Sequence, residues 1–321
     1  MVCARPMVEA IAVRSVVVAQ EFDTQNLSNL AWALAALEYA DVPLLATIAG
    51  RTVLKARQFS PQELANTTWA FLELSLLTET LQAALSAAAA QCADASQGQA
   101  LGALVDADLP CREELESRLG NLVNNFLEVW CPNQSWDADL ASTAVQIFKM
   151  DSLGRRGSRM LLGKLGIPEA SPEFVGRAEN KISQARTSDA LPQSPGYGWR
   201  RTRVLAYCEY RFEGDTATGS LMCENGLHGE GLAGHLRWLT PTQLPLSSWV
   251  DRALCAEAQL LSLLCTQREL ANLHGEVELY TSAPPCLSCL GIFVQFSAAF
   301  PKATFRFSCG LARGWQAWEQ M

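Results

Sequence analysis

The chain lacks two patterns that would assign it quickly to a class of protein. It has no run of residues long and apolar enough to span a bilayer, so we expect no membrane association. It also lacks a basic excess, because 25 Lys and Arg stand against 33 Asp and Glu and the net charge is −8. This balance argues against non-specific nucleic-acid binding through a strongly basic surface, but it is compatible with a local basic groove.

The pattern of a disulfide framework is also missing, although cysteine is abundant. The eleven cysteines are odd in number and irregular in spacing. We therefore expect free thiols, most of them small core residues, in a reducing intracellular compartment, with the mitochondrion and the plastid as candidates. Hydrophobic residues make up 49% of the chain, which is enough for large cores in about two domains.

The first half of the chain repeats itself at an offset of 37 residues. The segment FDTQNLSNLAWALAAL (22–37) aligns without gaps with FSPQELANTTWAFLEL (59–74), and seven of sixteen positions are identical. The segments before them match at the same offset. A period of this length that holds two helical patterns is typical of stacked helix pairs. We therefore predict an α-solenoid of helix-pair repeats over residues 1–167, clear to about residue 92 and degenerate after it.

Local start signals support the second copy of the repeat. Ser60 and Pro61 predict an N-cap followed by a first-turn proline, and Glu63 occupies the capping-box position. The first 22 residues allow two interpretations. Few of them are acidic, as in a transit peptide, but their match to residues 44–59 favours an incomplete repeat, which would make the chain part of a longer array.

The element QELANTTWAF (62–71) resembles the octotricopeptide-type and RAP-associated helical repeats of organelle RNA-processing proteins. The resemblance implies single-stranded RNA as the partner, contacted by exposed polar side chains on one helix of each pair. Asn29 and Asn66 are the candidates for that contact, whereas Trp32 and Trp69 are interpreted as core residues. A protein partner that binds the repeats is the alternative, and it fits the acidity of this part of the chain.

Proline, serine and glycine interrupt the chain between the two halves. We predict that residues 168–199 form a linker, because Pro168, Pro172, Pro192 and Pro195 lie among small residues there. The basic run GRRGSRMLLGK just before it is interpreted as a solvated helix face or as a contact to a phosphate backbone.

The last part of the chain, residues 200–321, has the pattern of an α/β domain. TRVLAYCEYRF alternates apolar and polar residues and is rich in strand formers, and SLMCENG returns as the second strand of a hairpin. A helix is predicted over residues 251–270, followed by a strand at EVELYTS, a helix at LSCLGIFVQFSAAF and a strand at ATFRFSCG. The predicted order is therefore β-β-α-β-α-β.

This order, together with CAEAQLLSLL and PPCLSC, resembles the cytidine-deaminase-like superfamily, and in particular its bacterial toxin-type branch. The likeness spans about residues 200–310. It implies a three-layer α/β fold with Zn²⁺ held between two helix N-termini, where one helix supplies (His or Cys)-x-Glu and the other supplies Pro-Cys-x-x-Cys. It also implies the hydrolytic deamination of a nucleobase, cytidine to uridine in RNA that the helical repeats select.

Three tripeptides could supply the first of these two motifs. His274 and Glu276 form one, but only nine residues separate Glu276 from Cys286, where the implied fold needs a helix and a strand. His228 and Glu230 form another, in a glycine-rich loop. The third is Cys-Ala-Glu at the start of the helix predicted from residue 251, which leaves room for the required helix and strand.

We therefore predict a zinc site formed by Cys255, Cys286 and Cys289, with Glu257 as the catalytic proton carrier. Thiolates bind zinc tetrahedrally and leave a fourth position for water, and a helix N-terminus lowers the pKa of a thiol. Glu257, two residues past a ligand, would move a proton from water to the base and the leaving ammonia. Three thiolates weaken zinc as a Lewis acid, and we expect the charge of Arg252 to offset this.

Two functions follow from these observations. The first is a zinc-dependent deaminase, which the complete Cys-x-Glu and Pro-Cys-x-x-Cys motifs favour. The second is a non-enzymatic RNA-binding factor with a degenerate deaminase-like domain. The negative charge favours the second, as does the short segment after Gly310, because the superfamily fold continues there with a further helix and strand.

Overall fold

A computed structural model describes residues 5–37, 39–92, 98–187, 204–212, 218–225, 239–248, 251–266 and 274–310. The described helices and strands are, in chain order, α1 Arg5–Val18, α2 Thr24–Ala36, α3 Val42–Lys55, α4 Pro61–Glu73, α5 Glu79–Cys92, α6 Gly98–Asp106, α7 Arg112–Trp130, α8 Ala138–Phe148, α9 Gly154–Lys164, α10 Pro172–Thr187, β1 Leu205–Phe212, β2 Thr218–Glu224, α11 Ala256–Thr266, β3 Gly275–Thr281, α12 Leu287–Ala299 and β4 Ala303–Cys309. Two compact units are present, Met1–Leu119 and Gly120–Trp315.

The first unit is helical, and its local structure follows the 37-residue offset seen in the sequence. Helices α1 and α2 begin and end 37 residues before α3 and α4, and the short 3₁₀ turns Ala19–Glu21 and Ala56–Gln58 recur at the same offset. The N-caps also correspond, because the side chains of Asp23 and Ser60 each accept a hydrogen bond from the backbone N–H three residues on. The sequence repeat therefore coincides with a repeat of local structure over α1 to α4.

The predicted capping box at the start of α4 is confirmed. The Ser60 hydroxyl accepts from the Glu63 N–H at 3.3 Å, and the Glu63 carboxylate accepts from the Ser60 N–H at 2.7 Å. Pro61 occupies the first turn, where its missing N–H has no helical partner to lose. The backbone carbonyl of Glu63 also accepts from the Ser28 hydroxyl at 3.3 Å, so the start of α4 is bonded to α2.

The expectation that Asn29 and Asn66 are equivalent exposed positions is wrong for Asn66. Asn29 is exposed, but the side chain of Asn66 is only 7% exposed and accepts from the Gln62 amide at 2.9 Å. The reason is that α4 contacts α2, α5 and α6, so that several of its faces are covered. Trp32 and Trp69, expected in the core, are both half-buried.

The second unit contains a four-stranded mixed sheet with the order β2-β1-β3-β4. β1 pairs antiparallel with both β2 and β3, whereas β3 pairs parallel with β4. The strands and helices from β1 to β4 follow the predicted order β-β-α-β-α-β. An α-helical part and a small mixed sheet with helices therefore make up the described chain, as the predicted α plus α/β class requires.

Helices cover both faces of this sheet. On one face, Tyr207 stacks on Phe174 of α10 with ring centroids 6.1 Å apart. On the other face, Phe293 of α12 packs against Phe305 and Phe307 of β4, at 5.4 and 4.7 Å. Alternation along the strands separates these two sets of side chains, since successive residues of a strand point to opposite faces.

The range predicted as a linker contains helix α10. The Ser171 hydroxyl accepts from the Phe174 N–H at 3.3 Å, and Pro172 is the first helical residue. The proline is therefore a helix-start signal, the same Ser-Pro pair that begins α4, and not a sign of an unstructured connection. Phe174 is fully buried in a cluster with Leu205 of β1. Residues 188–199 of the predicted linker lie outside the described residues.

Residues just before α10 pair with β4, one of the two edge strands of the sheet. The Phe307 N–H donates to the Pro168 carbonyl at 3.1 Å, and the Ala170 N–H donates to the Phe307 carbonyl at 3.0 Å. Glu169 thereby forms a parallel bridge with Phe307 of β4. An exposed strand edge is a template for unwanted pairing, and these upstream residues occupy part of it.

Trp136, in the segment before α8, packs against α12. The ring of Trp136 lies so close to Gly291 of α12 that a Cβ atom added there would be 2.1 Å from the ring. Trp136 in turn meets the ring of Trp130 edge-on at 5.0 Å. The α/β part thus depends on side chains from residues 130–187, which the sequence assigned to the repeat array and the linker.

We expect a protein that starts at residue 200 to fail to fold cooperatively, because it lacks the helix on one sheet face and the cover of the β4 edge. A protein that spans residues 112–321 keeps both and is expected to unfold in one cooperative transition. Urea unfolding followed by circular dichroism and tryptophan fluorescence compares the two. Equal cooperativity of both proteins would show that residues 112–199 are dispensable for this unit.

Candidate metal centre

Two helix starts supply the sulfur atoms of the centre. Cys255 directly precedes α11, and its carbonyl accepts from the Gln259 N–H at 3.0 Å, as an N-cap carbonyl does. Cys286 is the N-cap of α12 and accepts from the Leu290 N–H at 3.0 Å. Cys289 lies in the first turn of the same helix. Each thiol is therefore placed where the unpaired N–H groups of a helix end stabilise a negative charge.

The structure brings the three predicted cysteines together. The sulfur atoms of Cys255, Cys286 and Cys289 all lie within 4.8 Å of one another, and the Cys286 and Cys289 sulfurs are 3.6 Å apart. Cys286 and Cys289 are 4% and 1% exposed, whereas Cys255 is half-buried. Within the part of the chain that the structure describes, this is the only such group of potential metal ligands.

The thiols influence one another strongly. Hydrogen bonds from the thiols of Cys255 and Cys289 lower the pKa of Cys286, and the nearby positive charge of Arg252 acts in the same direction. Hydrogen bonds with the thiols of Cys255 and Cys286 raise the pKa of Cys289, and burial adds to that rise. One thiolate is therefore favoured, while further ionisation in this buried space needs a positive charge beside the sulfurs.

The spacing of the sulfurs fits a tetrahedral metal ion. Two thiolates bound to zinc at 2.3 Å in a tetrahedron lie about 3.8 Å apart, close to the separation of the Cys286 and Cys289 sulfurs. Thiolates select zinc and other soft ions over magnesium or calcium. Cys255, Cys286 and Cys289 could thus hold a metal ion with one position left open, and its identity as zinc stays a prediction.

Glu257 is buried beside these sulfurs. It lies in the first turn of α11 and is 4% exposed. Burial and, to a lesser extent, the charge of Cys286 raise the pKa of its carboxyl group to about 7, although Arg252 opposes the rise. A carboxyl group with a pKa near neutrality can both accept and release a proton at physiological pH.

The structure describes one of the two His-x-Glu pairs, His274 and Glu276, and this pair is not part of the centre. His274 and Glu276 are exposed at the start of β3, whereas Cys286 and Cys289 follow the far end of that strand. The rejection of this pair on spacing is consistent with its position. His228 and Glu230 lie outside the described residues.

Arg252 is buried, and a carboxylate that the sequence did not predict faces it. Its guanidinium donates to the Asp151 carboxylate at 3.2 Å, and the side chains of Arg252 and Asp151 are 2% and 5% exposed. Asp151 lies between α8 and α9, in the range assigned to the helical array. The only sequence signal was a polar Asp-Ser pair between two buried apolar residues, Met150 and Leu153, and this signal does not name a partner.

No family model, curated protein or solved structure matches this chain. The functional argument therefore depends on the geometry and chemistry of the centre. Among the described residues, no helix has the length and apolar character needed to cross a bilayer.

We expect the purified protein to bind about one zinc ion per chain. Replacing any one of the three cysteines by serine removes a ligand. Losing a group that only orients a ligand weakens metal binding about 10–100-fold, so we expect each of Cys255→Ser, Cys286→Ser and Cys289→Ser to weaken zinc binding more than about 100-fold. Zinc content after dialysis and competition with a chromophoric chelator measure the effect. Cys265→Ala is the matched control, since Cys265 is a buried thiol on the same helix as Glu257. Normal zinc binding by Cys286→Ser would contradict the assignment.

Arg252→Ala is expected to lower the free energy of unfolding by about 3–5 kcal/mol, because it removes the positive partner of a buried carboxylate. Replacing Arg252 and Asp151 together by leucine should cost less than the single change, since no buried charge is then left from this pair. Chemical denaturation of the metal-loaded protein gives both values. If Arg252→Ala unfolds like the wild type, the ion pair does not stabilise this region.

Proposed function

We propose that this protein is a zinc-dependent hydrolytic deaminase of nucleobases, of the cytidine-deaminase-like type, which converts cytidine to uridine in RNA. The observation that supports the proposal is that three sulfurs and a buried carboxyl group meet at the starts of two helices, near the carboxyl end of β3. Cys-x-Glu on one helix and Pro-Cys-x-x-Cys on the other are the motif pair of zinc deaminases.

The arrangement of strands and helices agrees with this type of domain. The β3-α12-β4 unit places Cys286 in the connection from β3 to α12, beyond the carboxyl end of β3, the end of a parallel strand where catalytic groups of α/β domains collect. Cys255 reaches the same place from α11, which contacts β1 and β2.

The residues of this chain divide the chemistry between them. Cys255, Cys286 and Cys289 would hold the metal, which supplies a Lewis acid that makes water nucleophilic near neutral pH. Glu257 takes one proton from the attacking water and delivers it to the ring nitrogen, and it then carries the second proton, from the new hydroxyl group, to the leaving amino group. The net reaction consumes one water and releases one ammonia, so Glu257 ends in its starting protonation state.

The surroundings of Glu257 suit this role. Its carboxyl group is buried, so water is largely excluded and the proton stays between carboxylate and substrate. Arg252 is close enough to lower the pKa of Cys286, which supports the proposal that its charge offsets that of the thiolates, and Asp151 accepts a hydrogen bond from its guanidinium. The open metal position and this carboxyl group are the two parts that hydrolytic deamination needs.

The helical repeats are proposed to select the RNA. Asn29 on α2 remains an exposed polar candidate for a base contact, whereas Asn66 does not. The basic run of α9 is less suited to phosphate binding, because Arg159 is half-buried and forms an ion pair with Glu169. A protein partner on the repeats is the alternative occupant of the same surface.

Glu257→Gln is expected to reduce deamination by at least about 100-fold, since the amide cannot carry the proton, while zinc content stays unchanged. The substrates to compare are single-stranded RNA, single-stranded DNA, free cytidine and free adenosine, with ammonia release and base conversion as readouts. Glu276→Gln is the matched control, because Glu276 belongs to the exposed His-x-Glu pair and should retain full activity.

Stoichiometric zinc without turnover on any of these substrates would contradict the enzymatic proposal. Together with RNA binding by the same preparation, that result would assign the second function, a non-enzymatic RNA-binding factor with a metal-stabilised platform. Equal losses in Glu257→Gln and Glu276→Gln would show that the assay does not report on this centre.

A further inference from the structure

The thiols lie at the starts of α11 and α12, which are separated in the chain by β3. The dipeptide Asp151-Ser152 bonds to residues next to both helix starts. Asp151 and Ser152 lie in the five-residue segment 149–153 between α8 and α9. They are 5% and 4% exposed, so their polar groups bond to protein. The contacts of this dipeptide with the helix starts involve residues close to the proposed ligands in the chain.

Ser152 fixes the entry to α12. Its hydroxyl donates to the Pro285 carbonyl at 3.2 Å and accepts from the Gly154 N–H at the same distance, so both capacities of the oxygen are used. The backbone of Ser152 also forms an isolated antiparallel bridge with Cys286. The chain on the N-terminal side of the Cys286 ligand is therefore held by one buried side chain.

Asp151 connects this entry to the start of α11. Its backbone carbonyl accepts from the Leu287 N–H at 2.7 Å, directly after Cys286. Its carboxylate accepts from Arg252, three residues before Cys255. Because one residue is bonded on both sides, a displacement of this segment would change the separation of Cys255 from the pair on α12.

We propose that Asp151 and Ser152 are positioning residues of the metal centre, which set the separation of the two thiol-bearing helix starts and thereby the affinity and geometry of the bound metal. This inference builds on the proposed metal site but not on the deamination reaction. Groups beyond the ligands orient metal-binding side chains, and their loss weakens metal binding about 10–100-fold in other proteins. The same range is expected here.

The deciding experiment uses the full chain with Ser152→Ala and, as matched control, Ser158→Ala. Ser158 is an equally buried serine in α9 whose loss should disturb packing without touching the entry to α12. Zinc affinity is measured by chelator competition, and ligand geometry by the visible absorption of the Co²⁺-loaded protein. Ser152→Ala should bind zinc about 10–100-fold more weakly and shift the cobalt bands, while Ser158→Ala should do neither.

Asp151→Asn gives an independent second test, and it decides the matter if Ser152→Ala does not fold. It keeps the backbone carbonyl but loses the charge that holds Arg252, so weaker zinc binding and altered cobalt bands are again expected. A zinc affinity within about twofold of the wild type and an unchanged cobalt spectrum would overturn the proposal. Neither readout needs a substrate, so a lack of deaminase turnover leaves this test intact.

Discussion

The accumulation of acidic groups in one buried space is the constraint on which the second unit depends. Three thiols and the Glu257 carboxyl group meet there, and hydrogen bonds among the thiols favour only one thiolate. Arg252, paired with Asp151, supplies one positive charge that lowers the pKa of Cys286. A thiophilic divalent ion, which this group of cysteines could hold, would let all three sulfurs ionise and would link the fold of this region to metal binding.

The sheet determines where this space lies. Parallel pairing of β3 with β4 requires α12 as a crossover, so α12 starts at the carboxyl end of β3. α11 precedes β3 and packs on β1 and β2, and its start lies near the start of α12. The segment between α8 and α9 then bonds to both helix starts. The chemistry proposed for Glu257 depends on this meeting of three separate parts of the chain.

Local signals in the sequence predicted local structure well. The capping box at Ser60, the strand and helix order after residue 204, and the three cysteines of the centre agree with the structure. The linker prediction missed α10, because Pro172 stands at a helix start, where proline is favoured, and not in a connection. Asn66 was misjudged because its exposure depends on neighbouring helices and not on its own repeat.

The sequence by itself determined what is encoded within a few residues: helix caps, strand alternation and the spacing of Cys286 and Cys289, since these depend on bonds and angles along one short segment. Only the tertiary structure decided which distant residues complete the centre. Asp151 reaches Arg252 across 101 residues, and Ser152 reaches Pro285 across 133. No periodicity records such pairs, because their contact depends on how the intervening helices and strands pack.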